Sequence, residues 1–337
     1  MGCEGCNSRP RMRRRTTEEK DEREEIWSQH FGDEYIVKNK TKEQNTHTPF
    51  VVGALNVHYL PERGTPEMIA LQDAVKEQDV QGICEHNLNF SKVRQDNQLK
   101  ARMRKTWRTE PRTVTSWIHE RDHRMSATQL GGVAMMTHGI NSDYMQESGE
   151  DKEGLARWCW MCFESQSHVK TAFIQIYRPV ANKNNEGSVY MQQASRIVGT
   201  DVLQKYDEDL LDLVDQFAAD GYRVAVMGDF NLNVLDESNR LVAGLLERGL
   251  IERITHQHGK FGVPSTYRYG SEMVDGMFTH PELDIRRCGM CSGNPALSDH
   301  RLIWAEFTRE SVIGGDCGEM YRPTTRRVQC KYKKVVK

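Results

Sequence analysis

Five places in the chain put an acid or an amide at the end of an apolar, strand-like run. Asn56 closes Phe50–Val57, and Glu85 follows Val80–Cys84. Asp229 and Asn231 stand in Gly228-Asp229-Phe230-Asn231, just past the run Arg223–Met227. Asp275 lies in Val274-Asp275-Gly276-Met277-Phe278, and Asp299 and His300 precede Leu302–Phe307. A single strand-end aspartate is most simply a turn former, because its side chain bonds its own backbone. Five acid- or amide-bearing strand ends point instead to one shared site. Carboxylates, amides and an imidazole without a thiol form a hard, oxygen-rich donor set, which suits Mg²⁺ or Mn²⁺ over Zn²⁺.

The elements that must carry these residues can be read from hydropathy. Further strands are expected at Gly132–Thr137, Arg157–Phe163, Lys170–Tyr177 and Val274–Thr279, and a helix over Pro66–Gln78 opens on the N-cap pair Thr65-Pro66. One long helical stretch, about Tyr190 to Ala219, carries apolar residues at Val202, Leu203, Leu210, Leu213, Val214 and Phe217. Strands that mix with helices but also come in runs argue a layered α/β or α+β domain.

The series Asn56, Glu85, Tyr177-Arg178-Pro179, Gly228-Asp229-Phe230-Asn231, Asp275 and Ser298-Asp299-His300 resembles the endonuclease/exonuclease/phosphatase family, in that family's order. Within it, Tyr-Arg-Pro, the Val274–Thr279 segment and Arg157-Trp158-Cys159-Trp160 are most similar to the endonuclease domains of non-LTR retrotransposons. The resemblance implies an α/β four-layer α/β/β/α sandwich, two packed mixed sheets flanked by helices, with the site at one edge. It departs from the family where Cys84 and His86 flank Glu85, in place of the usual Gln and Thr.

The resemblance implies a Mg²⁺-dependent (or Mn²⁺-dependent) phosphodiester hydrolase, a DNA endonuclease that nicks one strand. Glu85, with Asn56 or Asp299, would hold the metal. Asp229 would orient or deprotonate water, Asn231 and Tyr177 would donate to the phosphate, and His300 would meet the developing charge. Asp275 would hold His300 in its tautomer, and Arg178 would offer a cation to the DNA backbone. The basic stretch Arg102–Arg108 with Arg112 would track DNA, with Trp107 stacking on a base. Two alternatives stand beside this: an abasic-site or RNA 3′-end nuclease or other phosphoesterase of the same fold, and an inactive retroelement relic that only binds nucleic acid. The partners expected are DNA or RNA, and a reverse transcriptase in the full-length element.

Composition frames these readings. Lys+Arg number 46 and Asp+Glu 48 in 337 residues, a net charge of −2, so no global basic field is present. No apolar run approaches the roughly 18–20 residues a membrane span needs, and a soluble protein of the nucleus or cytoplasm is expected. Residues 1–48 read as a disordered basic and mixed-charge tail, 49–309 as the family domain, and 310–337 as a basic tail or linker. Of nine cysteines, Cys3/Cys6, Cys159/Cys162 and Cys288/Cys291 form CxxC pairs, each half of a conceivable zinc site, although the second sits in an apolar strand where Cys acts as a small hydrophobe.

Overall fold

The computed structural model describes residues 49–104, 111–118, 127–165, 167–291, 293 and 297–315. The N-terminal tail 1–48 with Cys3 and Cys6, residues 316–337 of the C-terminal tail, and Trp107 lie outside the described residues.

Two six-stranded mixed sheets face each other. The first runs β11(Ile285–Met290), β12(Ile303–Phe307), β1(Phe50–Asn56), β2(Val80–Cys84), β4(Val133–Thr137), β3(Arg112–Ser116). The second runs β5(Met145–Glu150), β6(Trp158–Glu164), β7(Lys170–Tyr177), β8(Arg223–Asp229), β10(Asp275–Thr279), β9(Ile251–Glu252). Each sheet has one parallel pair at its centre, β1 with β2 and β7 with β8, and antiparallel pairs elsewhere. Strands buried on both faces read as continuous apolar runs, as Phe-Val-Val-Gly-Ala-Leu-Asn does in β1.

Between the sheets Phe50 packs edge-on to Phe163 at 5.6 Å and parallel to Phe173 at 5.8 Å, while Phe173 meets Phe307 at 5.9 Å. Outside the first sheet, α1(Pro66–Val75) and α2(Leu99–Met103) bury Met68, Leu71, Val75, Leu99 and Met103 against Leu55, Ile83, Ala134 and Met136. α4(Val202–Ala219) packs on β8 of the second sheet and touches α3(Val189–Ala194) and α5(Arg240–Glu247), while α6(Arg253–His258) packs against β10 of the second sheet and β11 of the first. The layers are therefore α/β/β/α, as expected.

Three local differences have physical causes. The stretch Tyr190–Ala219 is two helices, not one: α3 stops at Ala194, Gly199 (φ +85°) stands in the connection, and Asp201 caps α4 by accepting from Leu203 N and Gln204 N. The edge strand β5, Met-Gln-Glu-Ser-Gly-Glu, is polar and largely open to solvent, so it carries no apolar signal. At the far end α7(Arg309–Ile313) buries Val312 and Ile313, so the described fold continues past Arg309.

The cysteines of the second pair are separate core residues. Cys159 and Cys162 are three apart on β6 and so project from opposite faces, both are buried, and burial pushes both thiols up. Cys288 Sγ donates to Gln257 Oε1 at 3.1 Å. Among the described residues no cysteine joins a three-member group with metal-binding geometry.

Candidate active site

The two parallel pairs bring four strand ends to one edge: Asn56 and Glu85 from the first sheet, Tyr177 and Asp229 from the second. This is the crevice beyond the carboxyl ends of strands where ligands bind in open sheets. The antiparallel strand β10 contributes its first residue, because Asp275 lies directly opposite Asp229 in register. Directly opposed residues have Cβ atoms about 5 Å apart, so two carboxylates face one another. The loop before β12 adds Asp299 and His300. It is pinned by Ser298, whose hydroxyl donates to the Asn56 carbonyl at 2.5 Å and accepts from His300 N at 3.0 Å.

Local backbone conformation aims these side chains. Glu85 (φ 54°) and Asn231 (φ 49°) both occupy the left-handed region, uncommon for residues other than glycine and concentrated at functional sites. Gly228, one residue before Asp229, has φ 133°, and a Cβ there would lie 2.3 Å from the Ile176 carbonyl oxygen. Only glycine lets β8 approach β7 so closely at this point.

Asp229 is buried and is the hub. It accepts from Asn56 Nδ2 at 2.8 Å, Asn231 N at 2.9 Å and Asn231 Nδ2 at 3.3 Å. Burial, then the charge of Asp275, push its carboxyl well above the usual carboxylate range; His300 and the Asn56 hydrogen bond pull the other way. Across a 4.0 Å gap from its Oδ2 lies His300 Nε2. His300 Nδ1 bonds Asp275 Oδ2 at 2.8 Å, which turns Nε2 toward Asp229, and the Tyr267 ring lies over the imidazole at 4.9 Å. Burial alone would lower the pKa of His300. The Asp275 charge and hydrogen bond outweigh it, with Asp229 and Asp299 adding to them, and the imidazole is pushed up to about 10.

Glu85 forms the rim. Its Oε1 accepts from the Tyr177 hydroxyl at 2.5 Å and its Oε2 from Asn56 Nδ2 at 3.0 Å, with 22% of the side chain open to solvent. His86 is a buried neutral imidazole: Nδ1 accepts from Leu88 N and Nε2 faces the Ser116 carbonyl at 3.0 Å. Burial lowers its pKa to about 4. The unusual neighbour of Glu85 therefore fastens β2 to β3 and leaves the carboxylate untouched.

Several expected roles change with this geometry. Asn56 accepts the His58 N–H on its Oδ1 at 2.8 Å, so its amide nitrogen, not its oxygen, faces Glu85 and Asp229; it is a donor between two carboxylates. Asn231, in its left-handed conformation, donates from Nδ2 to the Arg178 carbonyl at 2.7 Å and braces Asp229. Tyr177 commits its hydroxyl proton to Glu85. Asp299 stays half-buried beside His300, and its backbone carbonyl accepts from Arg268 N at 2.7 Å.

Arg178 is buried and grips Asp207 of α4 through Nε at 2.7 Å and Nη2 at 3.2 Å, so its charge is not offered to DNA. Removing one partner of a buried pair strands the other charge. Arg178→Met should therefore cost roughly 3–5 kcal/mol of stability in urea unfolding, where loss of a surface DNA contact would leave stability unchanged. Arg102 is likewise buried, donating to the carbonyls of Asn97, Leu60 and Pro61. Arg112 is exposed, and its Nη1 donates to the Met145 carbonyl at 2.9 Å.

The donor set fits a divalent cation. Asp229, Asp275 and Asp299 gather around His300, with Glu85 beside Asp229, while Arg178 is paired elsewhere. Among the described residues, the group of three with ligand atoms within 4.8 Å of one another is Asp229, Asp275 and His300. Two of these already bond each other, so Glu85 is the carboxylate that meets solvent with capacity to spare.

No family model and no curated protein sequence matches the chain. Solved structures do match. The AP endonuclease LMAP from Leishmania major superposes with a TM-score of 0.54 at 13% identity, covering 87% of this chain and 99% of that one. The 3′ phosphatase NExo from Neisseria, bound to a product DNA hairpin, gives 0.52 at 14% identity, covering 77% and 99%. An endonuclease/exonuclease/phosphatase from Beutenbergia cavernae gives 0.51 at 11%, covering 77% and 71%. The fold is that of the endonuclease/exonuclease/phosphatase structures. At these identities the likeness speaks for the architecture, and what the site does must be argued from its own residues. No helix among the described residues is long and apolar enough to cross a membrane.

Proposed function

We propose that the chain is a divalent-metal-dependent phosphodiester hydrolase acting on DNA, a strand-nicking endonuclease of the non-LTR retrotransposon type. The observation that carries this reading is the 4.0 Å gap between His300 Nε2 and Asp229 Oδ2, with the Glu85 carboxylate at its open rim. A buried carboxylate and a buried cation thus stand side by side at the Glu85 rim, the pairing that would handle a phosphate and its attacking water entering there.

Asp229, held by the amides of Asn56 and Asn231, orients the water and takes its proton; a raised carboxyl pKa makes it a better base near neutral pH. His300, kept cationic by Asp275, donates from Nε2 to a phosphate oxygen where negative charge grows. Tyr177 fixes the Glu85 carboxylate. Glu85 would hold Mg²⁺ or Mn²⁺, which supplies polarisation of the phosphate and stabilisation of the leaving oxygen.

The retrotransposon assignment is supported by Tyr177-Arg178-Pro179 and Val274–Thr279, and with it come a reverse transcriptase partner and action in the nucleus or cytoplasm. DNA is supported by the hairpin bound to the NExo structure. Abasic DNA is the second reading, favoured by the likeness to an AP endonuclease. Incubating the protein with supercoiled plasmid, abasic duplex and RNA in Mg²⁺ separates them: nicking of intact plasmid is expected, and cleavage confined to abasic duplex would replace the first reading by the second. Glu85→Gln should lower Mg²⁺-dependent nicking by about 100-fold or more while leaving the melting temperature nearly unchanged, as loss of a metal ligand at an open rim does. Nicking within tenfold of wild type would refute that assignment.

A further inference from the structure

We propose that His58 is a ligand of the divalent ion held at Glu85, and that its imidazole biases the site toward Mn²⁺ and later first-row ions over Mg²⁺; this rests on the metal-dependent reading above. His58 lies two residues past Asn56 in the left-handed region, φ 54°. Its N–H donates to Asn56 Oδ1 at 2.8 Å and its carbonyl accepts from the Asn87 side-chain amide. The backbone is thus clamped from both sides by the residues that border Glu85. What the clamp achieves is to stand the imidazole, 72% exposed, with Nδ1 3.9 Å from Glu85 Oε2.

That distance is too long for a hydrogen bond. It falls within the range that two donors sharing one ion can span. With metal–ligand bonds of about 2.0–2.2 Å, two ligand atoms lie about 3 Å apart at a right angle and about 4.2 Å apart when opposite. Glu85 has capacity on that side. Its Oε1 is taken by Tyr177 and its Oε2 by only one donor, Asn56. The exposure of His58 leaves the approach from solvent open. An imidazole beside a carboxylate suits Mn²⁺, Co²⁺ or Zn²⁺, whereas Mg²⁺ prefers an all-oxygen shell.

The discriminating substitution is His58→Asn, because asparagine also tolerates the left-handed backbone and preserves a purely structural turn. Mn²⁺ is titrated into the full chain and the bound ion examined by pulsed electron paramagnetic resonance, which detects a directly bonded imidazole nitrogen. The wild type should show ¹⁴N coupling. His58→Asn should lose it, with Mn²⁺ affinity falling roughly tenfold or more and Mg²⁺ affinity much less. Bound Mn²⁺ without ¹⁴N coupling in the wild type would overturn the proposal and leave the metal-dependent reading standing. Coupling that survives in His58→Asn would overturn it too, and would assign the nitrogen to another histidine. Failure of wild-type protein to bind Mn²⁺ at all, in agreement with Glu85→Gln, would instead remove the metal-dependent reading and this one with it.

Discussion

Asp229→Asn should abolish nicking and make the metal-free protein more stable. The rate should fall by about 10²–10⁴, the usual contribution of a positioned base, with DNA affinity nearly unchanged. The stability gain follows from the same burial. Asp229 sits in the interior directly opposite Asp275, and its folded pKa is raised. For a carboxyl shifted upward, ionisation opposes folding: stability is highest below the unfolded pKa of about 3.9 and falls as pH rises toward the folded value. At neutral pH the asparagine removes that opposition, so a gain of roughly 1–3 kcal/mol is expected, similar to what replacing poorly compensated buried charges gives. Saturating Mg²⁺ should reverse the order, because an ion that binds the folded wild type stabilises it by mass action. Urea unfolding with and without Mg²⁺, beside plasmid nicking, reads all three effects. A variant that loses activity and stability together would mark Asp229 as a structural residue.

The strands were legible because burial on two faces leaves an uninterrupted apolar signature: Val80–Cys84 and Lys170–Tyr177 have the boundaries that their hydropathy indicates. The edge strands β3 and β5 were not, since half-exposed strands such as Arg-Thr-Val-Thr-Ser carry mixed side chains. The short helices α5 and α6 also escaped, although Asn239 and Glu252 cap them through their side chains. The candidate site divides in the same way. Which residues converge could be read, because strand ends are local features and the motif order named them. How each is oriented could not. The direction of the Asn56 amide depends on a backbone N–H two residues on, and Arg178 finds Asp207 only once α4 packs against β8. His58 had no pattern around it; its only signal was proximity to Asn56, and the clamp on its backbone is tertiary.

The coupling of Asp275 to His300 gives the last expected result. His300→Ala should lower the rate roughly 10²–10³-fold, the scale of losing one donor to a developing oxyanion. Asp275→Asn keeps a hydrogen-bond acceptor near Nδ1 but removes the charge. The imidazole of the wild type, raised to about 10, stays cationic through neutral pH, and activity should fall on the alkaline side only as pH approaches that value. Without the Asp275 charge the alkaline limb should move down toward the ordinary imidazole value of about 6.5, because burial then acts with less opposition. Removing the Asp275 charge also eases the upward shift of Asp229, so the acid limb should move down as well, and Asp275→Asn should run fastest at a lower pH than the wild type. The double variant should be no slower than His300→Ala alone, since residues that act as a unit lose their effect together. Multiplicative losses with an unmoved alkaline limb would sink the pairing. The 2.8 Å bond would then be a structural contact, and the raised cation facing Asp229 would have some other support. A shifted limb with non-additive losses would mean that the buried carboxylate opposite Asp229 serves the reaction through the proton it keeps on its neighbour.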